Sequence, residues 1–379
     1  MPGCKIESTM AKRTGTSDLP LHYGSAPRWL FERMKNLARQ IIFIASEEFG
    51  PEEIIIRFSD PFWFQSFGCV LGFDWHSSGL TTTVCGAVKE ALRGIEDEVG
   101  IYIAGGKGGT SRKAPSEIES KAWRAGLDGS RLIYASRMSA KVDSAALQDG
   151  YQIYQHTFLF SRCGLWAVVQ QGMNVETQMA RRYHWLSEGL DSFVCEPHAA
   201  VCCDERVEAL NMVAEESSGA REVCAEISRE KPESNVRELE KICSLTLPSR
   251  HAITFSDINP ERLKTIFLKT YEEQPCDFER MLGIRGVGPK TIRALALISE
   301  LLYGEAPSRR DPARFSFAHG GKDGYPYPVD RNTYDSSVDF LSKAIRQAKL
   351  GRSEKLDALR RIQLILERDV GVYKNESFK

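Results

Sequence analysis

Two glycines and a proline at residues 286–289 restrict the fold more than any other stretch of this sequence. The run reads Gly286-Val287-Gly288-Pro289-Lys290, and a helical pattern follows it as far as Leu302. The glycines allow a tight turn and a close approach of the backbone to a ligand. Pro289 suits the first turn of a helix, where its missing N–H is not needed. The helix should therefore begin with open backbone N–H groups beside Lys290. Together these groups form a candidate anion site.

Helices on either side of this turn resemble the helix-hairpin-helix element of DNA repair enzymes, here over 278–303. The resemblance implies contact with the sugar-phosphate backbone of DNA. The alternative is an ordinary helical hairpin in which the glycines and the proline only begin a helix. The residues that the resemblance places against DNA are Arg285, Gly286, Val287, Gly288, Lys290, Thr291 and Arg293.

The overall composition gives no chain-wide signal for a nucleic-acid partner. The 379 residues carry a formal net charge of −1, so a nucleic-acid surface must be local. Ten cysteines without a Cys-x-x-Cys pair indicate neither a disulfide framework nor a zinc ribbon, and we expect reduced thiols in the cytoplasm. We find no signal peptide pattern, and no apolar run approaches membrane-spanning length, so no membrane partner is expected.

The element patterns predict an α+β chain, in which an N-terminal mixed α/β domain precedes an all-helical domain. We expect a flexible tail at 1–18, the α+β domain at 19–203 and a helical DNA-binding domain at 204–379. A hydrophobic content of 42% supports substantial cores in both domains.

Individual elements follow from hydrophobic periodicity. Helical spacing runs from Pro27 to about Glu48, and an amphipathic helix is predicted at 207–228. The predicted strands are the short apolar runs 100–104 and 132–135 and a hairpin formed by 149–160 and 164–171, and a loop is predicted at 105–113.

A Pro328-Val329-Asp330 run follows the Gly286-Val287-Gly288-Pro289-Lys290 turn about forty residues later. Over roughly 235–350 the chain resembles the helix-hairpin-helix DNA glycosylase superfamily. That resemblance implies that Lys290 attacks the sugar carbon and that Asp330 stabilises the positively charged sugar. The chain departs from that superfamily in a longer spacing between the two residues, with 308–324 interpreted as an insertion. The alternative is that Lys290 contacts a phosphate and Asp330 caps a helix.

Several polar runs set among aromatic residues occur in the first 200 residues. Together they resemble the largely archaeal family DUF763, a domain of unknown function, over almost the whole chain. The resemblance implies an N-terminal domain fused to a helix-hairpin-helix region. The runs include Gly72-Phe-Asp74-Trp-His76, Ser136-Arg-Met-Ser-Ala-Lys141-Val-Asp143, Ala180-Arg-Arg-Tyr-His-Trp185 and Glu196-Pro-His198.

Carboxylates paired with imidazoles in these runs suit a divalent metal such as Mg²⁺ or Mn²⁺. A metal-dependent nuclease centre is one interpretation, with Lys141 polarising a phosphate. The alternative is that each histidine is a hydrogen-bonded structural residue. The candidate metal ligands are Asp74, His76, Asp143, Asp149, Glu196 and His198.

Two further basic stretches are candidate nucleic-acid contacts. Lys107 and Arg112 lie in the glycine-rich run 105–113, which lacks the spacing of a nucleotide-binding P-loop. Arg181 and Arg182 stand next to aromatic residues, a mixture typical of proteins that bind single strands. The alternatives are a solvated loop for the first stretch and an ordinary helix with buried aromatics for the second.

The function that these patterns favour is a DNA-processing, repair-type enzyme. The hairpin would hold the DNA backbone, and strand cleavage would come either from Lys290 and Asp330 or from the metal-dependent centre. DNA is the expected partner, and RNA is left open. The alternative hypothesis is a non-catalytic DNA-binding adaptor of a repair complex.

Overall fold

The computed structural model of the chain describes residues 26–73, 79–203, 206–243, 260–314 and 331–373. Helices and antiparallel strands are mixed, as the predicted α+β class requires. The helices are α1 (Arg28–Phe49), α2 (Pro51–Ser59), α3 (Pro61–Val70), α4 (Gly79–Leu92), α5 (Glu96–Val99), α6 (Ala114–Ala125), α7 (Gly129–Lys141), α8 (Ser218–Ser228), α9 (Pro232–Cys243), α10 (Pro260–Glu273), α11 (Phe278–Gly283), α12 (Pro289–Leu302), α13 (Arg331–Gln347) and α14 (Arg352–Tyr373).

The strands form one main sheet and one small ribbon. The main sheet has the order β1-β3-β4-β5-β6 with antiparallel neighbours throughout, and the ribbon pairs β2 with β7. The hairpin predicted over 149–171 is confirmed as β3 and β4, with Phe158 opposite Val168. The strands are β1 (Ile101–Lys107), β2 (Leu147–Gln148), β3 (Gln152–Ser161), β4 (Trp166–Met173), β5 (Ala180–Leu186), β6 (Ala200–Cys202) and β7 (Leu210–Asn211).

Local signals begin several helices where the sequence predicts them. α1 starts one residue after Pro27, and α2 and α3 each have proline in the first turn. The Asp60 side chain caps α3 by accepting hydrogen bonds from the N–H groups of Phe62 at 2.8 Å and Trp63 at 3.1 Å. Such a cap typically stabilises a helix by about 1 kcal/mol.

Both faces of the main sheet are buried. Successive side chains of a strand point to opposite sides, so each strand contributes residues to both faces. One face packs against α1–α4, where Ile103, Leu159 and Val169 join an apolar core. The opposite face carries Phe158 and Trp185 in a second core, which also contains residues of α6, α7, α11 and α12. The helices on the two sides therefore sandwich the sheet.

The second core joins parts of the chain that are far apart in sequence. Met138 of α7, Met281 of α11 and Leu295 of α12 are all buried in it. On the other side of the sheet, α13 packs on α1 and α14 packs on α3. Residues on both sides of position 203 thus share cores, and the domain boundary predicted there stays a prediction. The tail predicted at 1–18 lies outside the described residues.

Three local predictions were wrong. Residues 132–135 belong to α7, because the Asp128 side chain caps that helix by accepting from Ser130 N at 2.9 Å and Leu132, Ala135 and Met138 share its buried face. Short apolar runs do not distinguish a strand from a buried helix by periodicity. The helix predicted at 207–228 begins only at Ser218, after the β7 strand, and 108–113 form a short 3-10 helix instead of a loop.

Among the described residues, no helix is long and apolar enough to cross a bilayer.

Candidate nucleic-acid interface

The turn between α11 and α12 is built from alternating buried and exposed residues. Ile284 and Val287 are 5% and 1% exposed and anchor the turn in the core, and the Val287 N–H donates to the Ile284 carbonyl at 3.2 Å. Arg285 and Gly286, which lie between them, are exposed. The core thus fixes the backbone of the turn while its outer edge faces solvent.

Gly286 has a backbone conformation that favours glycine. Its φ is +109°, and a Cβ atom there would lie 2.7 Å from Cδ1 of Ile266 on α10. The ammonium group of Lys269, also on α10, would lie 4.0 Å from the same Cβ position. α10 therefore packs closely against the turn and brings a third cation to its edge.

The first turn of α12 presents backbone donors with no side-chain cap. Gly288 is the N-cap in an extended conformation, and the first helical residue is Pro289. The Ile292 N–H donates to the Gly288 carbonyl at 3.0 Å, whereas the N–H groups of Lys290 and Thr291 precede the helical ladder. The first turn contains no acidic residue. The positive end of the helix dipole is therefore not neutralised by its own sequence.

Exposure separates the residues of the turn into two roles. Arg285 and Lys290 have exposed side chains on either side of the glycines. Val287 and Thr291 are buried, so only their backbone groups are available to a ligand. An anion at this position would meet the guanidinium group of Arg285, the ammonium group of Lys290 and the N–H groups of a helix N-terminus. This arrangement suits a phosphate.

Two side chains from the N-terminal half hold the turn in place. Lys141, at the end of α7, donates to the carbonyls of Val287 and, at 3.4 Å, Ile284. Burial lowers the pKa of Lys141 from its ordinary value. Lys141 thus binds the backbone of the turn between α11 and α12, a role that the sequence did not indicate.

Gln148 of β2 is the second anchor. Its amide nitrogen donates to the Pro289 carbonyl at 2.9 Å, and its amide oxygen accepts from Arg293 Nη2 at 2.9 Å. Arg293 is therefore directed toward Gln148, and we assign it to the support of the turn rather than to its exposed edge. No sequence signal identifies Gln148, since 141 positions separate it from Pro289.

The predicted catalytic pair is described only in part. Lys290 is exposed at the start of α12, and Asp330 lies outside the described residues.

The predicted basic contacts at 105–113 are exposed. Lys107 lies at the end of β1, and Arg112 lies in the following 3-10 helix. The Lys107 ammonium group lies 6.0 Å from the centre of the Tyr154 ring.

Arg181 and Arg182, which the sequence places against nucleic acid, are buried in β5 at 0% and 1% exposure. They point to opposite faces of the sheet. Arg181 bridges Asp149 at 2.9 Å and Asp311 at 2.6 Å. Arg182 donates to the Gln65 side chain at 3.0 Å on the other face. Both guanidinium groups are enclosed by protein partners, and we do not include them in the candidate interface.

Arg182 also fixes the protonation of a neighbouring histidine. Its Nε donates to His184 Nε2 at 2.8 Å, and His184 Nδ1 lies 3.0 Å from the Phe58 carbonyl. Burial, followed by the charge of Arg182, holds the pKa of His184 well below its ordinary value. The neutral tautomer with the proton on Nδ1 satisfies both contacts.

The described carboxylates among the predicted metal ligands have protein donors as partners. Asp143 lies 2.5 Å from His198 Nε2 and accepts from Trp185 Nε1 at 2.9 Å. Asp149 accepts from the Tyr183 hydroxyl at 2.7 Å, besides its ion pair with Arg181. Burial raises the pKa of Asp149 from its ordinary value.

Glu196, the remaining candidate ligand that the structure describes, forms no metal-binding group with these two carboxylates. Glu196 pairs with Arg314 at 3.2 Å, and Asp74 and His76 lie outside the described residues. Within the described ranges, no three His, Cys, Asp or Glu side chains are arranged to hold a metal ion. Asp143 and His198 are the two predicted ligands that the structure does bring into contact.

Comparison with known proteins identifies one family. No curated protein and no solved structure matches the chain. A family profile described as "Protein of unknown function (DUF763)" matches residues 15–329, which include the main sheet, α11, α12 and the turn between these two helices. The protein therefore belongs to the DUF763 family.

Proposed function

We propose that this protein is a DNA-binding protein of the DNA-processing, repair type. The 284–290 turn would grip the sugar-phosphate backbone as a helix-hairpin-helix does. The observation that carries the proposal is the open N-terminus of α12, which has no acidic residue in its first turn and is flanked by the exposed cations Arg285 and Lys290. Backbone N–H groups and cations together favour a phosphate diester.

The chemistry of the turn predicts binding that does not depend on base sequence. Phosphate contacts position a protein on DNA but carry no direct sequence information. Because the formal net charge of the chain is −1, attraction to DNA must come from this local surface. The contacts of Lys141 and Gln148 to the turn would keep the N–H groups oriented before DNA arrives.

Salt dependence tests the proposal directly. Each phosphate that a lysine or arginine neutralises contributes about 0.9 to the slope of log K against log salt for duplex DNA. The double variant Arg285→Ala/Lys290→Ala should therefore lower that slope by nearly 2 and weaken binding to unrelated duplexes equally. Fluorescence anisotropy at several salt concentrations measures both quantities.

The matched control removes the same number of charges elsewhere. Lys343 and Arg346 are exposed on α13, and Lys343→Ala/Arg346→Ala should leave the slope almost unchanged. If both double variants lower affinity and slope by the same amount, the hairpin has no special role and the proposal fails.

Strand cleavage is the second part of the proposed activity, and its two routes are separable by assay. Chemistry at Lys290 and Asp330 would give a covalent complex with abasic-site DNA that borohydride traps and that Lys290→Ala abolishes. A metal-dependent centre would give cleavage with Mg²⁺ or Mn²⁺ that EDTA stops. DNA binding with neither result would identify the protein as a non-catalytic adaptor.

A further inference from the structure

A pocket of about 520 Å³ opens beside the first turns of α7. Its walls come from three segments: the start of α7, the first residue of β4, and the chain after β5. This volume lies within the range of small-molecule sites. The lining residues are Ser130, Arg131, Tyr134, Ala135, Trp166, Ser187, Leu190 and Phe193.

Three aromatic rings of the pocket form one connected wall. The rings of Trp166 and Phe193 are nearly parallel, at an interplanar angle of 8° and a centroid distance of 6.0 Å. Tyr134 meets Phe193 edge-on, at 87° and 5.7 Å. Trp166 also stacks on Phe158 behind it, which ties this wall to the core of the sheet. Trp166 is 7% exposed, so the wall offers a ligand the partly buried rings of Phe193 and Tyr134, which Trp166 ties to the core.

The rim of the pocket is polar and basic. Arg131 and Ser130 are exposed at its edge, whereas Tyr134 and Phe193 are only partly buried. Ser187 is fixed because its hydroxyl accepts a hydrogen bond from the Trp166 N–H at 2.9 Å. An accessible aromatic ring with a cation at the edge of the pocket matches a planar ring that carries a phosphate, which is the chemistry of a nucleotide.

The pocket is joined to the hairpin by two contacts. The Tyr134 hydroxyl donates to the carboxylate of Glu279 on α11, and Met138 of α7 packs near Gly283, with its methyl carbon 3.6 Å from the position of a Cβ there. Burial, followed by Glu279, raises the pKa of Tyr134, so the phenol remains a donor.

Helix α7 also connects the pocket to the turn between α11 and α12. Lys141, which binds the carbonyls of the turn, follows Tyr134 by seven residues in α7. At a rise of 1.5 Å per residue this separation is about 10 Å. That distance corresponds to roughly three base-pair rises along the axis of B-DNA.

We propose that this pocket binds an unpaired nucleobase of the DNA strand that the hairpin holds, by stacking it against the partly exposed ring of Phe193. The inference rests on the proposed DNA-binding function and adds a preference for strands with unstacked bases. Every base has a flat face, so the pocket should accept bases without strong sequence preference.

The test compares two single strands of equal length and charge. One is oligothymidylate, and the other is the corresponding abasic sugar-phosphate chain. The full-length protein should bind oligothymidylate about 5- to 150-fold more tightly, as one stacked base would give. In Phe193→Leu, which keeps an apolar side chain but removes the ring, the two affinities should become nearly equal.

Two further variants serve as controls for this experiment. Ser130→Leu fills the pocket from an exposed position, so it should also remove the difference even if Phe193→Leu folds poorly. Trp123→Ala removes a ring that is 82% exposed on α6 and does not line the pocket, and it should leave the difference intact. Equal affinity of the unaltered protein for both strands, or an unchanged difference in Ser130→Leu, would overturn the inference.

The hairpin variant distinguishes failure of the pocket from failure of the proposed function. Arg285→Ala/Lys290→Ala should weaken binding of both strands, because both carry the same phosphates. If it does so while the two strands bind equally well, the hairpin function stands and the pocket inference fails. If it changes neither affinity, the proposed function itself fails.

Discussion

Replacing Gly288 by aspartate should weaken the binding of duplex DNA by about 10- to 150-fold without lowering the stability of the fold. The new carboxylate would occupy the anion site at the start of α12 and repel the phosphate. The estimate corresponds to losing one hydrogen bond to a charged group, about 1.5–3 kcal/mol.

The backbone at Gly288 can accept this side chain. The residue has φ −145° and ψ −172°, which any residue adopts, and the nearest atom to a Cβ there is the Gly286 carbonyl oxygen at 3.8 Å. Aspartate is a favoured N-cap residue, and its charge is favourable at a helix N-terminus. The stability of the variant should therefore be unchanged or raised by a few tenths of a kcal/mol.

Gly288→Asn is the matched control for the charge. Asparagine has nearly the same shape and capping ability but no negative charge. The difference in DNA affinity between the two variants, measured at equal salt, isolates the electrostatic part. Thermal unfolding of each variant checks the fold. Equal affinities of the Asp and Asn variants would show that no phosphate approaches this helix end.

The turn between α11 and α12 could be located from sequence because its signals are local. Two glycines and a proline within four residues specify a turn and a helix start, and α11 and α12 lie on either side of that turn in the structure. The β3–β4 hairpin was predicted in the same way, from alternation along 149–171. In both cases residues close in sequence determine the backbone conformation.

The side chains that hold the turn between α11 and α12 could not be predicted, because they come from distant parts of the chain. Lys141 and Gln148 contact residues more than 140 positions away. The aromatic pocket likewise combines α7, β4 and the segment after β5, which no single sequence pattern joins. Spacing along a chain gives the faces of single elements but not which faces meet.

Arg181 shows why a basic, aromatic run is an ambiguous signal. In a strand, alternate side chains point to opposite faces, so Arg181 and Arg182 enter two different interiors. Each finds partners that the sequence does not place nearby, such as Asp311, which is 130 positions from Arg181. In an exposed loop the same residues would be available to a nucleic acid.

Arg181→Met should destabilise the protein by about 3–5 kcal/mol, which is the largest effect on folding that we expect from a single substitution here. Arg181 Nη1 and Nη2 donate to Asp149 at 2.9 Å and to Asp311 at 2.6 Å, and all three side chains are at most 3% exposed. The guanidinium also lies 4.6 Å from the centre of the Tyr151 ring. Methionine fills part of the space but leaves two buried carboxylates without their cation.

The adjacent residue gives a control of the same chemistry. Arg182→Met also removes a buried guanidinium from β5, but Arg182 donates to neutral acceptors, the Gln65 side chain, His184 Nε2 and, at 3.3 Å, the Pro61 carbonyl. No carboxylate loses its counter-ion in those contacts, so the free energy of unfolding should fall by less. Denaturant unfolding of both variants measures the difference. Equal losses would contradict the special role of the buried carboxylates.

The pH dependence of Arg181→Met distinguishes lost charge pairing from lost packing. Burial already raises the pKa of Asp149 in the unaltered protein, and removal of the Arg181 charge should raise it further. The folded variant then binds protons at a pH where the unfolded chain, with ordinary carboxyl pKa values near 4, does not. Stability of the variant relative to the unaltered protein should therefore increase as the pH falls from 7 toward 5. A loss of stability that stays constant over this range would mean that packing, not the two carboxylates, accounts for it.

A triple variant that adds Asp149→Asn and Asp311→Asn to Arg181→Met tests the charge explanation a second way. Its stability should partly recover, because replacing every charged member of a buried ion group costs less than removing its cation alone.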